Sequence, residues 1–100
     1  MMHSVKCSPN YFTALQNGNK TFEVRRKDRP YQIGDLIAVN EFADFDYEYG
    51  SDEMREKFSR ISDNGRYSGE CLLFKITYIL DDTKYCKSDT VILGLARCEI

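Results

Sequence analysis

Tryptophan is absent from this sequence, histidine occurs once, at His3, and proline only twice, at Pro9 and Pro30. The four cysteines, Cys7, Cys71, Cys86 and Cys98, form no C-x-x-C pair, and His3 lies far from most of them. That spacing argues against a zinc site, and no other metal or cofactor is called for. No run approaches the ~18 apolar residues a membrane span needs. The start of the chain also lacks an apolar leader core. The expectation is therefore a cytoplasmic protein with free thiols and no membrane partner. Internal repeats, low-complexity tracts and linkers are missing as well, which leaves one domain over residues 1–100.

The 100 residues are 42% hydrophobic and 30% charged, ordinary globular usage with enough apolar surface for one core. Net charge is only −2, but the charges are segregated. Residues 17 to 30 hold Lys20, Arg25, Arg26, Lys27 and Arg29 against Glu23 and Asp28, a local +3. Residues 41 to 56 set seven carboxylates against Arg55, a local −6. An anionic ligand is steered to the first patch, and a long duplex is disfavoured because one small patch neutralises few phosphates.

His3 to Cys7 reads as a short strand. Ser8-Pro9 opens a helix, with Ser8 as N-cap and Pro9 at the first helical position. Phe12 and Leu15 supply its apolar stripe, and Gly18 ends it near Asn17 in the left-handed conformation. Thr21 to Arg26 alternates Phe22 and Val24 with Thr21, Glu23 and Arg25, a strand with one polar face. Asp28-Arg29-Pro30 and Gly34-Asp35 are breaks, and Leu36 to Val39 suits a strand covered on both sides. Cys71 to Leu80 is the strongest strand signal, and Val91 to Ala96 is the last, with Gly94 a bend or a close backbone approach.

About residues 43–66 the chain becomes acidic and turn-rich, an inserted excursion. Ser51 caps a helix bearing Met54, Phe58 and Ile61, with Glu53/Lys57 and Glu56/Arg60 as i, i+4 pairs, before a tight turn at Asn64-Gly65. Phe45, Tyr47 and Tyr49 alternate with acids there, so the segment is a candidate protein-binding loop. About five strands and one or two short helices make an α+β, mainly β domain. A small closed barrel is favoured because closure removes exposed edges.

Glu23 and Arg25 lie two apart on a strand, so they share a face roughly 6.6 Å apart. Arg25 offers a planar fork of donors to a phosphate or carbonyl, and Glu23 an acceptor to an exocyclic amine or ring N–H. Lys20, at the join of helix and strand, faces either this group or the negative end of the helix. Arg26 and Arg29 extend the candidate phosphate contacts. Thr21 is a weak nucleophile candidate, so Lys20, Glu23 and Thr21 are the only residues for catalysis, which is less favoured than binding.

The order strand, helix, Asn17-Gly18-Asn19-Lys20-Thr21-Phe22-Glu23-Val24-Arg25, Tyr31-Gln32-Ile33-Gly34-Asp35 and Val91-Ile92-Leu93-Gly94-Leu95 resembles the ASCH superfamily of PUA-like β-barrels. Tyr67-Ser68-Gly69-Glu70 and Lys75-Ile76-Thr77-Tyr78-Ile79-Leu80 look like the branch called domain of unknown function 3850. The resemblance covers the chain outside about 43–66. It implies a cleft beside the Lys20 to Arg25 strand that takes RNA or a nucleotide-like small molecule. Some members are amidohydrolases of acylated cytidine nucleosides that use a lysine, a threonine and a glutamate. Lys20 matches the lysine, whereas Glu23 stands at the threonine's position, and no residue here is matched to the glutamate.

Overall fold

Inward aliphatic residues alternating with outward polar ones set most of the sheet. The computed structural model describes residues 1–98. The chain runs β1 (Met2–Cys7), α1 (Pro9–Gln16), β2 (Phe22–Arg26), β3 (Leu36–Asp44), α2 (Asp52–Lys57), β4 (Arg60–Ser62), β5 (Gly65–Leu80) and β6 (Thr90–Arg97). Its strands lie in the order β1-β3-β5-β6-β2, with the short β4 pairing on β5. The β1–β3 pair is parallel and the others are antiparallel. The architecture is mainly β, as the sequence implies. It has six strands rather than about five, the extra one being β4, and it curls into a half-barrel. Among the described residues β1 and β2, the two ends of that curl, form no backbone ladder with each other.

The concave side holds one core. Val5 and Cys7 of β1, Ile37 and Val39 of β3, Leu72, Phe74 and Ile76 of β5, and Val91, Leu93 and Leu95 of β6 meet Phe12 and Leu15 of α1. A helix of eight residues does not persist alone in water. Burying Phe12 and Leu15 supplies roughly 1.5–3 kcal/mol each and holds it against the sheet. Ser8 occupies the extended N-cap position, but its side chain caps nothing. Pro9 at the first helical position sets the entry instead. At the other end Gly18, at φ +83°, lets the chain reverse so that Lys20 N–H donates to Ala14 O at 2.9 Å.

The acidic segment leaves the sheet over a shorter stretch than its composition implies. Ala43 and Asp44 still pair with Arg66 and Gly65. Gly65 is required there, because a Cβ would strike Ala43 O and the Phe42 ring and come within 2.8 Å of Asp44 Cα. Ser51 does cap α2, its Oγ accepting from Met54 N–H at 3.2 Å. The helix stops at Lys57, so Arg60 and Ile61 fall on β4, and neither expected i, i+4 ion pair forms. Lys57 reaches instead to Glu41, a carboxylate only 2% exposed, at 3.1 Å, and to Glu70 at 3.7 Å. Burial works against the Lys57 ammonium, but the Glu41 hydrogen bond and the charges of Glu41 and Glu70 outweigh it and raise its pKa. Phe58 is fully buried beside Tyr47 and Tyr49, so the excursion is anchored rather than free. Among the described residues no helix is long and apolar enough to cross a membrane.

His3 is more than an ordinary strand residue. It is buried, packs in a tilted arrangement on the Tyr31 ring with centroids 4.7 Å apart, and lies with Nε2 2.7 Å from Asp35 Oδ2. Gln32 N–H donates to the same carboxylate at 3.0 Å, which shapes the turn before β3. The hydrogen bond with His3 holds the Asp35 carboxyl below its usual pKa against its burial, and the Gln32 N–H adds to that. A carboxyl whose pKa is depressed on folding stabilises the fold above its unfolded value near 3.9 and loses that contribution as pH falls through the folded value. Asp35→Asn should therefore be less stable than the wild type in urea at pH 6, with the gap narrowing towards pH 3. A gap that does not change with pH would contradict this role.

Candidate functional site

β2 ends the sheet, and its register on β6 fixes which side chains point inward. Glu23 pairs with Leu93 and Arg25 with Val91, both core residues, so the charged face of β2 is the concave one. Phe22 and Val24 point outward and are 43% and 54% exposed. The strand is thus inverted relative to its neighbours, which turn aliphatic residues inward. Glu23 is only 4% exposed, and a carboxylate in that position is tolerable only when it is paired. Lys20 Nζ lies 2.6 Å from its Oε1, Arg25 Nη1 lies 3.5 Å from Oε2, and the Cys7 thiol donates to Oε1 at 3.9 Å.

The gap between β1 and β2 is bridged by side chains. Alternate residues of a strand turn their carbonyls to opposite edges. Met1 O accepts from Leu36 N–H on the β3 side, which leaves Ser4 O and Lys6 O on the free edge. Arg25 Nη1 donates to Lys6 O at 3.0 Å, and Arg29 Nη1 donates to Ser4 O at 2.8 Å. Two guanidinium groups therefore satisfy carbonyls that a paired strand would otherwise take.

A cleft of about 480 Å³ opens along this seam, lined by the end of β1, Tyr11 of α1, Lys20 and the run from Phe22 to Arg25. That volume lies in the range of small-ligand sites. Lys20, Glu23 and Arg25 converge in it, whereas Arg26 is turned to solvent near Asp89 at 3.9 Å. Arg29 serves the seam. Thr21 lines a separate recess of about 280 Å³ with Leu15, Phe74 and Leu95, and its carbonyl accepts from Leu95 N–H. It does not share the cleft of Glu23. In the excursion, Phe45, Tyr47 and Tyr49 line a shallower hollow with Arg55 and Arg66.

Tyr11 and Cys7 are among the cleft residues that sequence reasoning missed. Tyr11 sits off the Phe12/Leu15 stripe and is 60% exposed, a signal that its helical position carried all along. Cys7 alternates inward with Val5, but its contact with Glu23 depends on folding. Burial, with the Glu23 charge adding to it, pushes the Cys7 thiol up to about 12. It is a protonated donor at neutral pH and no nucleophile.

The family model described as Domain of unknown function (DUF3850) matches residues 2–95, a span that includes both helices and the acidic segment. No curated protein matches the chain.

Cysteine labelling checks the thiol's environment. With iodoacetamide at pH 8 the exposed Cys71 should be alkylated quickly, while Cys7 should stay unmodified until urea unfolds the protein. Rapid alkylation of Cys7 in the native protein would place it outside the buried site.

Proposed function

The chain belongs to the DUF3850 family, and from that premise we propose that it binds a nucleotide, free or as one unit of a short single-stranded RNA, in the cleft beside β2. The convergence of Lys20, Glu23 and Arg25 on one hollow carries this reading. Lys20 and Arg25 donate to phosphate or to a base carbonyl, and Glu23 accepts from an exocyclic amine or ring N–H. Glu23 is already ordered by its two cations, so little side-chain freedom remains to be lost on binding. Arg26 adds at most a peripheral phosphate contact. The same reading puts the domain in the ASCH superfamily of PUA-like barrels, supported by the half-barrel and the G-x-K-T-x-E-x-R order. It has the domain work in the cytoplasm, in keeping with cysteines that are free among the described residues.

A second reading, hydrolysis of an acylated cytidine nucleoside, draws on the 2.6 Å contact of Lys20 with Glu23, a proton donor and a proton acceptor that face one cleft. Thr21, turned to the other recess, takes no part in it. Acid release from such nucleosides that is lost in both Lys20→Ala and Glu23→Gln would establish turnover, and no release from any of them would remove this reading.

Binding is tested by fluorescence anisotropy with labelled short RNAs and labelled nucleotides. The wild type should saturate, and Lys20→Ala and Arg25→Ala should each bind at least about tenfold more weakly, the loss of one charge-assisted contact. Equal behaviour of the three proteins would overturn the proposal.

A further inference from the structure

Two large aromatic rings stand at the mouth of the cleft with no part in the core. Tyr11 comes from α1 and Phe22 from β2, and they are 60% and 43% exposed. Separate elements nevertheless aim them at one point. Lys20 Nζ lies over the Tyr11 ring at 4.6 Å from its centroid and over the Phe22 ring at 5.3 Å. Both rings line the cleft that holds Glu23 and Arg25.

Resting on the binding reading above, we infer that Tyr11 and Phe22 form a stacking clamp for a single unpaired nucleobase, so that the ligand is recognised through its flat ring as well as its phosphate. Neither ring belongs to the core cluster, and both border the same hollow, Tyr11 from the helix and Phe22 from the outer side of β2. A π-face is what a base stacks on, whatever its identity. The Lys20 ammonium, which lies over both rings, is held by Glu23 at 2.6 Å, which leaves a donor and an acceptor next to the clamp to meet the edge of a stacked base. A base within a duplex is stacked on its neighbours and presents no free face, so the clamp selects mononucleotides and single-stranded ends or loops.

Nuclear magnetic resonance titrations with cytidine and guanosine 5′-monophosphates and with ribose 5-phosphate, which has the phosphate but no base, test the clamp. The wild type should bind the nucleotides at least about tenfold more tightly than the sugar phosphate, with upfield shifts of the Tyr11 and Phe22 ring protons. Tyr11→Ala and Phe22→Leu should each weaken nucleotide binding about tenfold, leave ribose 5-phosphate binding unchanged and retain the native backbone spectrum. Tyr11→Phe should bind like the wild type. Nucleotide binding that is indifferent to Tyr11→Ala and Phe22→Leu, or a wild type that binds sugar phosphate equally well, would overturn the clamp and leave the cleft as an anion site. A wild type that binds none of the three would remove the binding reading and the clamp together.

Discussion

The structure depends on a sheet that curls into a half-barrel whose two end strands are bridged by side chains and not paired. β1 and β2 face each other, but Arg25 and Arg29, not a backbone ladder, satisfy the free carbonyls of Lys6 and Ser4. A closed ladder would leave no room between these strands. Side-chain bridging keeps a slot open, and an exposed sheet edge is covered without being paired. Because the inward face of β2 borders this slot, it carries Glu23 and Arg25 where the other strands carry aliphatic residues.

Polar burial follows from that placement. A carboxylate only 4% exposed needs cations beside it, and Lys20 arrives because Gly18 turns the chain sharply at the end of α1. The helix end and the strand are thus fixed to each other by one ion pair. Arg25 contacts both Glu23 and β1, so the binding groups and the seam share a residue. On β3, in register with Cys7, Glu41 meets the same requirement differently, drawing the Lys57 side chain over from the end of α2 and tying the acidic excursion to the sheet.

Local pattern made much of this legible. The Phe12/Leu15 stripe, the Ser8-Pro9 start and the Gly18 stop placed α1, and the two-residue alternation at Phe22 to Arg26 placed β2 and put Glu23 and Arg25 on one face. Alternation is blind to which face turns inward, and at β2 the outcome depends on an edge that only topology creates. Long-range polar pairs escaped for the same reason: His3 with Asp35 and Glu41 with Lys57 join residues whose spacing in sequence carries no signal. The expected pair of Lys57 with Glu53 failed because a buried carboxylate competes for a lysine more strongly than an exposed neighbour does, and that of Arg60 with Glu56 because the helix stops at Lys57 and leaves Arg60 on β4. Tyr11 was readable as off the helix stripe, but an exposed ring acquires meaning only once a cleft is seen beside it.

The inward-facing pair at the seam is tested most directly by a double-mutant cycle between Lys20→Met and Glu23→Gln, read from urea unfolding. Exposed ion pairs couple by roughly 0.2–1 kcal/mol. A buried pair at this site should exceed that range, with Lys20→Met alone destabilising strongly and the double variant recovering part of the loss. Independent, additive effects of the two substitutions would mean that Glu23 does not sit sequestered against Lys20, and the inward-facing charge pair of the cleft would not exist.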